Sequence, residues 1–166
     1  FTGSGGSLSG SLADGGGATT LNGTITTGAG QTYDGAVTLG SATVLASSNG
    51  GNIRFGSTLD GTQTLAVNTG GTTTFVGAVG AGAGTALASL STDAAGTTVI
   101  QGGSVRTSGT QTYGDAVSAG TLTLTSLNAG GHLQASNAGN DFGTLSLATA
   151  GATGGTPGSP TPVGGA

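Results

Sequence analysis

Gln31-Thr32-Tyr33-Asp34-Gly35-Ala36-Val37 returns 80 residues later as Gln111-Thr112-Tyr113-Gly114-Asp115-Ala116-Val117. Outward from this pair, residues 23–71 overlay 103–151 without a gap, with about 15 of 49 positions identical. Gly50-Gly51 meets Gly130-Gly131, and Thr64-Leu65 meets Thr144-Leu145. Upstream the match continues with a one-residue slip: Asp14 meets Asp93, and Ala18-Thr19 meets Thr97-Thr98. Phe1-Thr2-Gly3 is like Phe75-Val76-Gly77, the tail of such a unit. The expectation is an excerpt from a longer repeat array.

A shorter period lies inside the long one. Ile25, Leu45, Leu65, Val105, Leu124 and Leu145 recur at about 20 residues or multiples of it, and Tyr33, Ile53, Tyr113 and Leu133 form a second series. Between them runs local alternation, as in Leu65-Ala66-Val67, Leu122-Thr123-Leu124, Leu145-Ser146-Leu147 and Ile53-Arg54-Phe55. A period of two puts apolar side chains on one face of a strand and small polar ones on the other. Gly-rich breaks such as Ser48-Asn49-Gly50-Gly51 supply the turns between strands. These features predict an all-β chain, a parallel β-helix (β-solenoid) with about 20 residues per coil, two or three strands per coil and an 80-residue superrepeat. The solenoid domain is expected over residues 1–150, in units of roughly 11–88 and 89–150, followed by a Gly/Pro-rich linker or terminal arm at 151–166 that holds all three Pro. The competing architecture is a β-sandwich of about seven strands, which would not require equivalent residues every coil.

Composition narrows the function. Gly 38, Thr 31, Ala 23 and Ser 17 dominate 166 residues, while charge is confined to two Arg and six Asp, for a net charge of −4. A helical fold is disfavoured by so much Gly, Thr and Ser. Disulfides and thiolate metal sites need Cys, which is absent. A nucleic-acid partner needs a basic footprint, and two Arg do not make one. No apolar run reaches the roughly 20 residues of a membrane-spanning helix. Gly clusters at 15–17, 50–51, 70–71 and 130–131 are not phosphate loops, because the chain has no Lys.

Gly-Gly-Ser-Val-Arg-Thr-Ser-Gly-Thr-Gln-Thr-Tyr-Gly-Asp-Ala-Val (102–117), its copy at 23–37, and Gly139-Asn140-Asp141-Phe142-Gly143-Thr144-Leu145 resemble repeats of large bacterial surface proteins of the filamentous-haemagglutinin-like and autotransporter-like kind. The resemblance covers roughly residues 10–150. It implies a right-handed parallel β-helix, secretion to the Gram-negative cell surface, and a role in adhesion, matrix or filament building. The expected function is therefore an extracellular, non-enzymatic structural segment. It would form a filament, fibre or stalk by end-to-end stacking with further copies of itself, or as part of a longer array. The alternative is a binding module for surface glycans or, failing that, ice.

No catalytic or cofactor site is expected. The Asp residues recur in pairs, Asp14 with Asp93, Asp34 with Asp115, and Asp60 with Asp141. Asp34, Asp60, Asp115 and Asp141 are weak candidates for a calcium ladder, weighed against the simpler reading that they close turns. His132, aligned with Asn52, reads as a surface turn residue rather than a general base. Arg54 and Arg106 read as solvated or paired to an Asp, and Tyr33 and Tyr113 as stacking or capping a coil, with exposed sugar-binding rings as the sharper reading. Thr62 and Thr64 are expected to face Gly82 and Gly84 of the next coil, too irregular a Thr rank for an ice-binding face.

Overall fold

A computed structural model describes residues 2–128 and 131–149; the expected arm at 151–166 lies outside the described residues. The fold is an all-β parallel solenoid of about 7 coils, with about 21 residues per turn. The strands follow the chain as β1 (Thr2–Leu8), β2 (Leu12–Ala13), β3 (Thr19–Thr27), β4 (Gln31–Tyr33), β5 (Val37–Ser47), β6 (Ile53–Phe55), β7 (Leu59–Asp60), β8 (Thr64–Thr69), β9 (Thr72–Phe75), β10 (Ser89–Thr92), β11 (Thr97–Ile100), β12 (Ser104–Thr107), β13 (Gln111–Tyr113), β14 (Ala116–Ala119), β15 (Thr121–Ser126), β16 (Leu133–Ala135) and β17 (Thr144–Thr149).

The strands stack on three faces, each strand pairing with its counterparts in adjacent coils. The first face carries the leading halves of β1, β3 and β5, then β7, Val79, β12, β15 and β17. The second carries the trailing halves of β1, β3 and β5, then β8, β10, β13 and β16. The third carries β2, β4, β6, β9, β11 and β14, with Asp141 bridging to Ser118 at its end. Burial alternates along the strands, as at Gln31–Tyr33 and Thr121–Ser126, because every second side chain points into the column.

The strands and their inner faces follow the sequence pattern, but the vertical register differs from the even 20-residue spacing. Ile25 stacks on Leu45 as expected, and Val105 on Leu124. Leu45, however, meets Val67, while Leu65 meets Thr43 and Leu90. Tyr33 meets Phe55 rather than Ile53, and Tyr113 meets Ala135 rather than Leu133. Thr64 faces Ser89, not Gly84. The reason is unequal coil length: vertical neighbours are separated by 18 residues at Leu21 and Leu39 (39 − 21) and by 26 at Val79 and Val105 (105 − 79). A slip of two residues keeps a side chain on the same face of its strand, so the column stays apolar inside.

The longest coil contains an excursion. Val79 pairs with Val105 and Leu87 with Thr107, so residues 80–86 loop outward while the adjacent coil advances two residues. Asp60 anchors this loop, its Oδ1 accepting Gly82 N–H at 3.2 Å and the Thr85 hydroxyl at 2.6 Å.

The 80-residue repeat does not return to the face on which it started. β4, with Gln31 and Tyr33, lies on the third face, whereas β13, with Gln111 and Tyr113, lies on the second. Counted face by face from β4 to β13, the chain advances eleven faces, one short of four full coils. The corner glycines move in step: Gly23 and Gly103 both have φ of 69°, but Gly23 sits between the first and second faces and Gly103 between the third and first. Only glycine takes that conformation without steric cost.

Inside, Tyr33, Phe55 and Phe75 stack down the third face, with ring centroids 5.5 and 5.2 Å apart and planes inclined by 20° and 4°. Leu21, Leu45, Leu59, Leu65, Leu87, Leu90 and Leu122 fill much of the rest. At the corner between second and third faces the backbones of adjacent coils touch, and a Cβ on Gly51, Gly71 or Gly96 would run into the backbone of the coil before it.

Candidate functional site

The interior is polar as well as apolar, and its polar groups are paired. The Gln31 side-chain Nε2 lies 2.9 Å from the Ala46 carbonyl, 3.4 Å from that of Ile25 and 3.2 Å from the Thr27 hydroxyl, while its Oε1 accepts the Tyr33 hydroxyl at 2.8 Å. Gln111 repeats this with the Thr125 carbonyl at 3.0 Å, that of Val105 at 3.2 Å, the Thr107 hydroxyl at 3.2 Å and the Tyr113 hydroxyl at 3.1 Å. Thr27 and Ser47 both donate to the Ala29 carbonyl, as Thr107 and Ser126 do to that of Gly109. Among the described residues no buried side-chain nitrogen or oxygen lacks a partner. Both Tyr are buried, which removes the reading of exposed sugar-binding rings, and burial pushes both phenols far above their ordinary range. The buried Gln were missed by sequence reasoning. The available signal was Gln and Tyr two apart in both copies of an alternating segment, which puts them on one inward face.

The Asp residues are distributed among separate turns. Asp14 accepts the Thr19 hydroxyl at 2.6 Å and Asp34 N–H at 2.8 Å. Burial alone would raise its pKa, but these bonds and those from the Gly16 and Gly35 N–H groups outweigh it and lower the pKa. Asp34 is exposed and pairs with Arg54 at 2.6 Å. Asp93 accepts Thr69 N–H at 3.2 Å, and Asp141 closes its own turn through Gly143 N–H at 3.1 Å. Asp115, 2% exposed, points inward and accepts the hydroxyls of Thr92 at 2.7 Å and Thr98 at 2.8 Å. Desolvation raises its pKa against those two bonds, and Asp93 adds to the rise. Asp34, Asp60, Asp115 and Asp141 thus make separate sets of contacts, and among the described residues no three His, Cys, Asp or Glu gather to hold a metal ion.

Of the remaining candidates, His132 lies beside the corner before β16 and Arg106 on β12. His132 is exposed, and its carbonyl accepts Gln111 N–H at 2.8 Å just as that of Asn52 accepts Gln31 N–H at 2.8 Å. Arg106 donates to the Ala81 carbonyl of the outward loop at 3.3 Å.

What stands out chemically is the two ends of the column. At one end lie β1 and β2, and at the other β17, β16 and the Asp141 segment; among the described residues no strand pairs with their outer edges. An open edge presents a row of backbone donors and acceptors. The two exposed large apolar side chains among the described residues are Leu8, 46% exposed on β1, and Leu147, 56% exposed on β17. Leu12 at the first end, and Leu133, Phe142 and Leu145 at the second, are partly buried against the core. Each end is a section cut through the column, apolar inside and hydrogen-bonding around its rim.

No family model, curated protein or solved structure matches this chain.

Proposed function

We propose that this chain is a structural, non-enzymatic segment of an extracellular filament, fibre or stalk on or around a bacterial cell, lengthened by coil stacking between copies or within a longer array. The resemblance of residues 102–117 and 139–145 to filamentous-haemagglutinin-like and autotransporter-like repeats supports the bacterial surface setting. Absent Cys and Met suit an oxidising exterior.

The observation that carries the reading is the pair of end ladders, bearing Leu8 and Leu147, whose outer edges no strand among the described residues covers. Two such ends on one molecule are complementary, since every internal ladder is parallel and the outer edge of β17 offers the same bonding row that β15 offers to β17. The contact is heterologous, and heterologous contacts that do not close make open filaments. The side walls carry few charges and small side chains, in keeping with a passive shaft rather than a catalytic groove. Electron microscopy and light scattering across rising concentration test this. Filaments one solenoid wide are expected; monodisperse monomers at high concentration would overturn it.

A further inference from the structure

We infer that Asn49 is a modification site of the folded chain: the Gly50 nitrogen attacks its side-chain amide, and the corner between β5 and β6 changes from a neutral turn to an acidic one.

Asn followed by Gly occurs twice, at Asn22-Gly23 and Asn49-Gly50. In such a pair the Gly nitrogen can close a five-membered ring on the Asn carboxamide carbon, and glycine has no Cβ to block the approach. The step balances within the chain and one water. The Gly nitrogen bonds to Asn Cγ, the Cγ–Nδ2 bond breaks, and Nδ2 leaves as ammonia with the proton of the former Gly N–H. Water then opens the cyclic imide at either carbonyl. The product is Asp or a β-aspartyl linkage, in which the main chain runs through the side chain and is one carbon longer.

The fold treats the two pairs differently. Asn22 lies within β3, where it pairs with Ser4 of β1, while its neighbours Leu21 and Gly23 pair with Leu39 and Thr43 of β5. The nitrogen that would attack is occupied, because Gly23 N–H donates to the Ser41 hydroxyl at 3.1 Å. The carboxamide that would be attacked sits over Gly40 of the next coil, where a Cβ would strike its Oδ1. Cyclisation at Asn22 therefore waits until β3 leaves its ladders.

Asn49 stands outside the ladders, between Ser47 at the end of β5 and Ile53 at the start of β6. Its side chain is exposed and bonds to no described residue. Gly50 N–H reaches the Ser47 carbonyl at 3.3 Å, beyond the usual range of an N–H to oxygen bond. The chain on either side is held, Ser48 N–H by the Thr27 carbonyl at 2.9 Å and Gly51 N–H by the Ser47 hydroxyl at 2.8 Å. Only the Asn49-Gly50 link has to rotate, and there is room for it: a Cβ on Gly50 would come no nearer than 3.6 Å to the neighbouring coil. The product alters a contact between coils, since the Gly50 carbonyl is what a Cβ on Gly71 would run into. A β-aspartyl linkage lengthens the main chain at that contact.

Peptide mapping by mass spectrometry of the full folded chain, held in mildly alkaline buffer, tests this, with the same incubation in denaturant as reference. In denaturant both pairs are expected to convert from amide to acid, the dipeptide being the same. In the folded chain Asn49 is expected to keep most of its unfolded rate, and Asn22 to convert at least about tenfold more slowly because its strand must open first. Hydroxylamine, which cleaves at the imide, is expected to cut the folded protein between Asn49 and Gly50 and not between Asn22 and Gly23. Asn49→Gln, which can close only a six-membered ring, is expected to abolish that cut and the acid at the corner. Equal rates at the two pairs in the folded chain, a faster one at Asn22, or an Asn49 that stays intact there would overturn the assignment.

Discussion

Asp34 and Asp115 occupy matching places in the two internal repeats and opposite sides of the coil wall. The first copy reads Tyr33-Asp34-Gly35 and the second Tyr113-Gly114-Asp115. Transposing the two residues shifts the carboxylate by one position, and one position along a strand exchanges outside for inside. Asp34 faces solvent and Arg54, whereas Asp115 is enclosed by Thr92 and Thr98. In the first copy the inward place belongs to Gly35, where a Cβ would strike the Gly17 carbonyl. There the hydroxyl of Thr19, the counterpart of Thr98, is taken by Asp14 from the neighbouring coil.

This arrangement gives Asp14 and Asp115 opposite pH signatures. Asp115 has a raised pKa in the folded chain, so the folded state holds a proton that the unfolded state has released. Its contribution to stability is greatest below the ordinary value of 3.8 and declines as pH rises through the raised folded pKa. Asp14 has a lowered pKa, and its contribution is present above 3.8 and is lost as pH falls through the folded value. Asp115→Asn is expected to raise the denaturation midpoint at pH 7 and leave it unchanged at low pH. Asp14→Asn is expected to lower the midpoint at pH 7 and to flatten the acid limb. Denaturant midpoints of the three proteins from pH 2 to 8 check both; parallel curves would refute the assignment.

Gln31→Leu and Gln111→Leu are each expected to cost about 2–3 kcal/mol, because each strands a buried Tyr hydroxyl and takes a donor from two coil carbonyls. Adding Tyr33→Phe to Gln31→Leu is expected to recover part of that loss, since the paired polar groups then leave together. Equilibrium denaturation of the two singles and the double reads the coupling. Additive losses would mean that the bond between Gln31 and Tyr33 contributes nothing.

Strand positions and inner faces were legible because Leu65-Ala66-Val67 or Leu122-Thr123-Leu124 alternates, and alternation survives any even slip. Vertical pairing was not, because coil length varies with corner loops whose sequences carry no alternation. Ala81-Gly82-Ala83-Gly84-Thr85 is such a loop, and it displaces every later residue from an even spacing. The face change across the long repeat was hidden for a related reason. A local motif such as Gln-Thr-Tyr reports its own turn and hydrogen bonds, which are the same on the two faces where it occurs, and not the number of faces between copies. The apolar residues at the two ends of the described column, Leu8 and Leu147, became identifiable only once the first and last described coils were placed.

The aromatic stack gives a third expectation. Phe55 lies between Tyr33 and Phe75 and is fully buried. Phe55→Ala opens a cavity in a column whose coils are fixed at ladder spacing and cannot collapse onto it, so a loss of about 3–5 kcal/mol is expected. Phe55→Leu retains most of the volume but breaks both ring contacts, for a loss of about 1–2 kcal/mol. A loss under 1 kcal/mol for the Ala variant would show that the stack relaxes in a way a rigid ladder does not allow.

The corner glycines set how closely coils can approach, and Gly96 tests that limit. Its φ is 82°, and a Cβ there would meet the Gly71 carbonyl oxygen and, at 2.7 Å, that of Thr69. The Gly71 carbonyl is not free to move away, because it accepts Thr97 N–H at 3.1 Å at the start of β11. Gly96→Ala therefore combines a strained backbone with a clash against the ladder, and a loss of about 2 kcal/mol or more is expected. Gly84→Ala is the matched control: its φ is 71°, but nothing lies within 4 Å of its Cβ, so only the backbone strain of about 1 kcal/mol remains. Denaturant midpoints of the two variants separate the contributions. If both lose the same amount, contact between coils is not what keeps glycine at this corner.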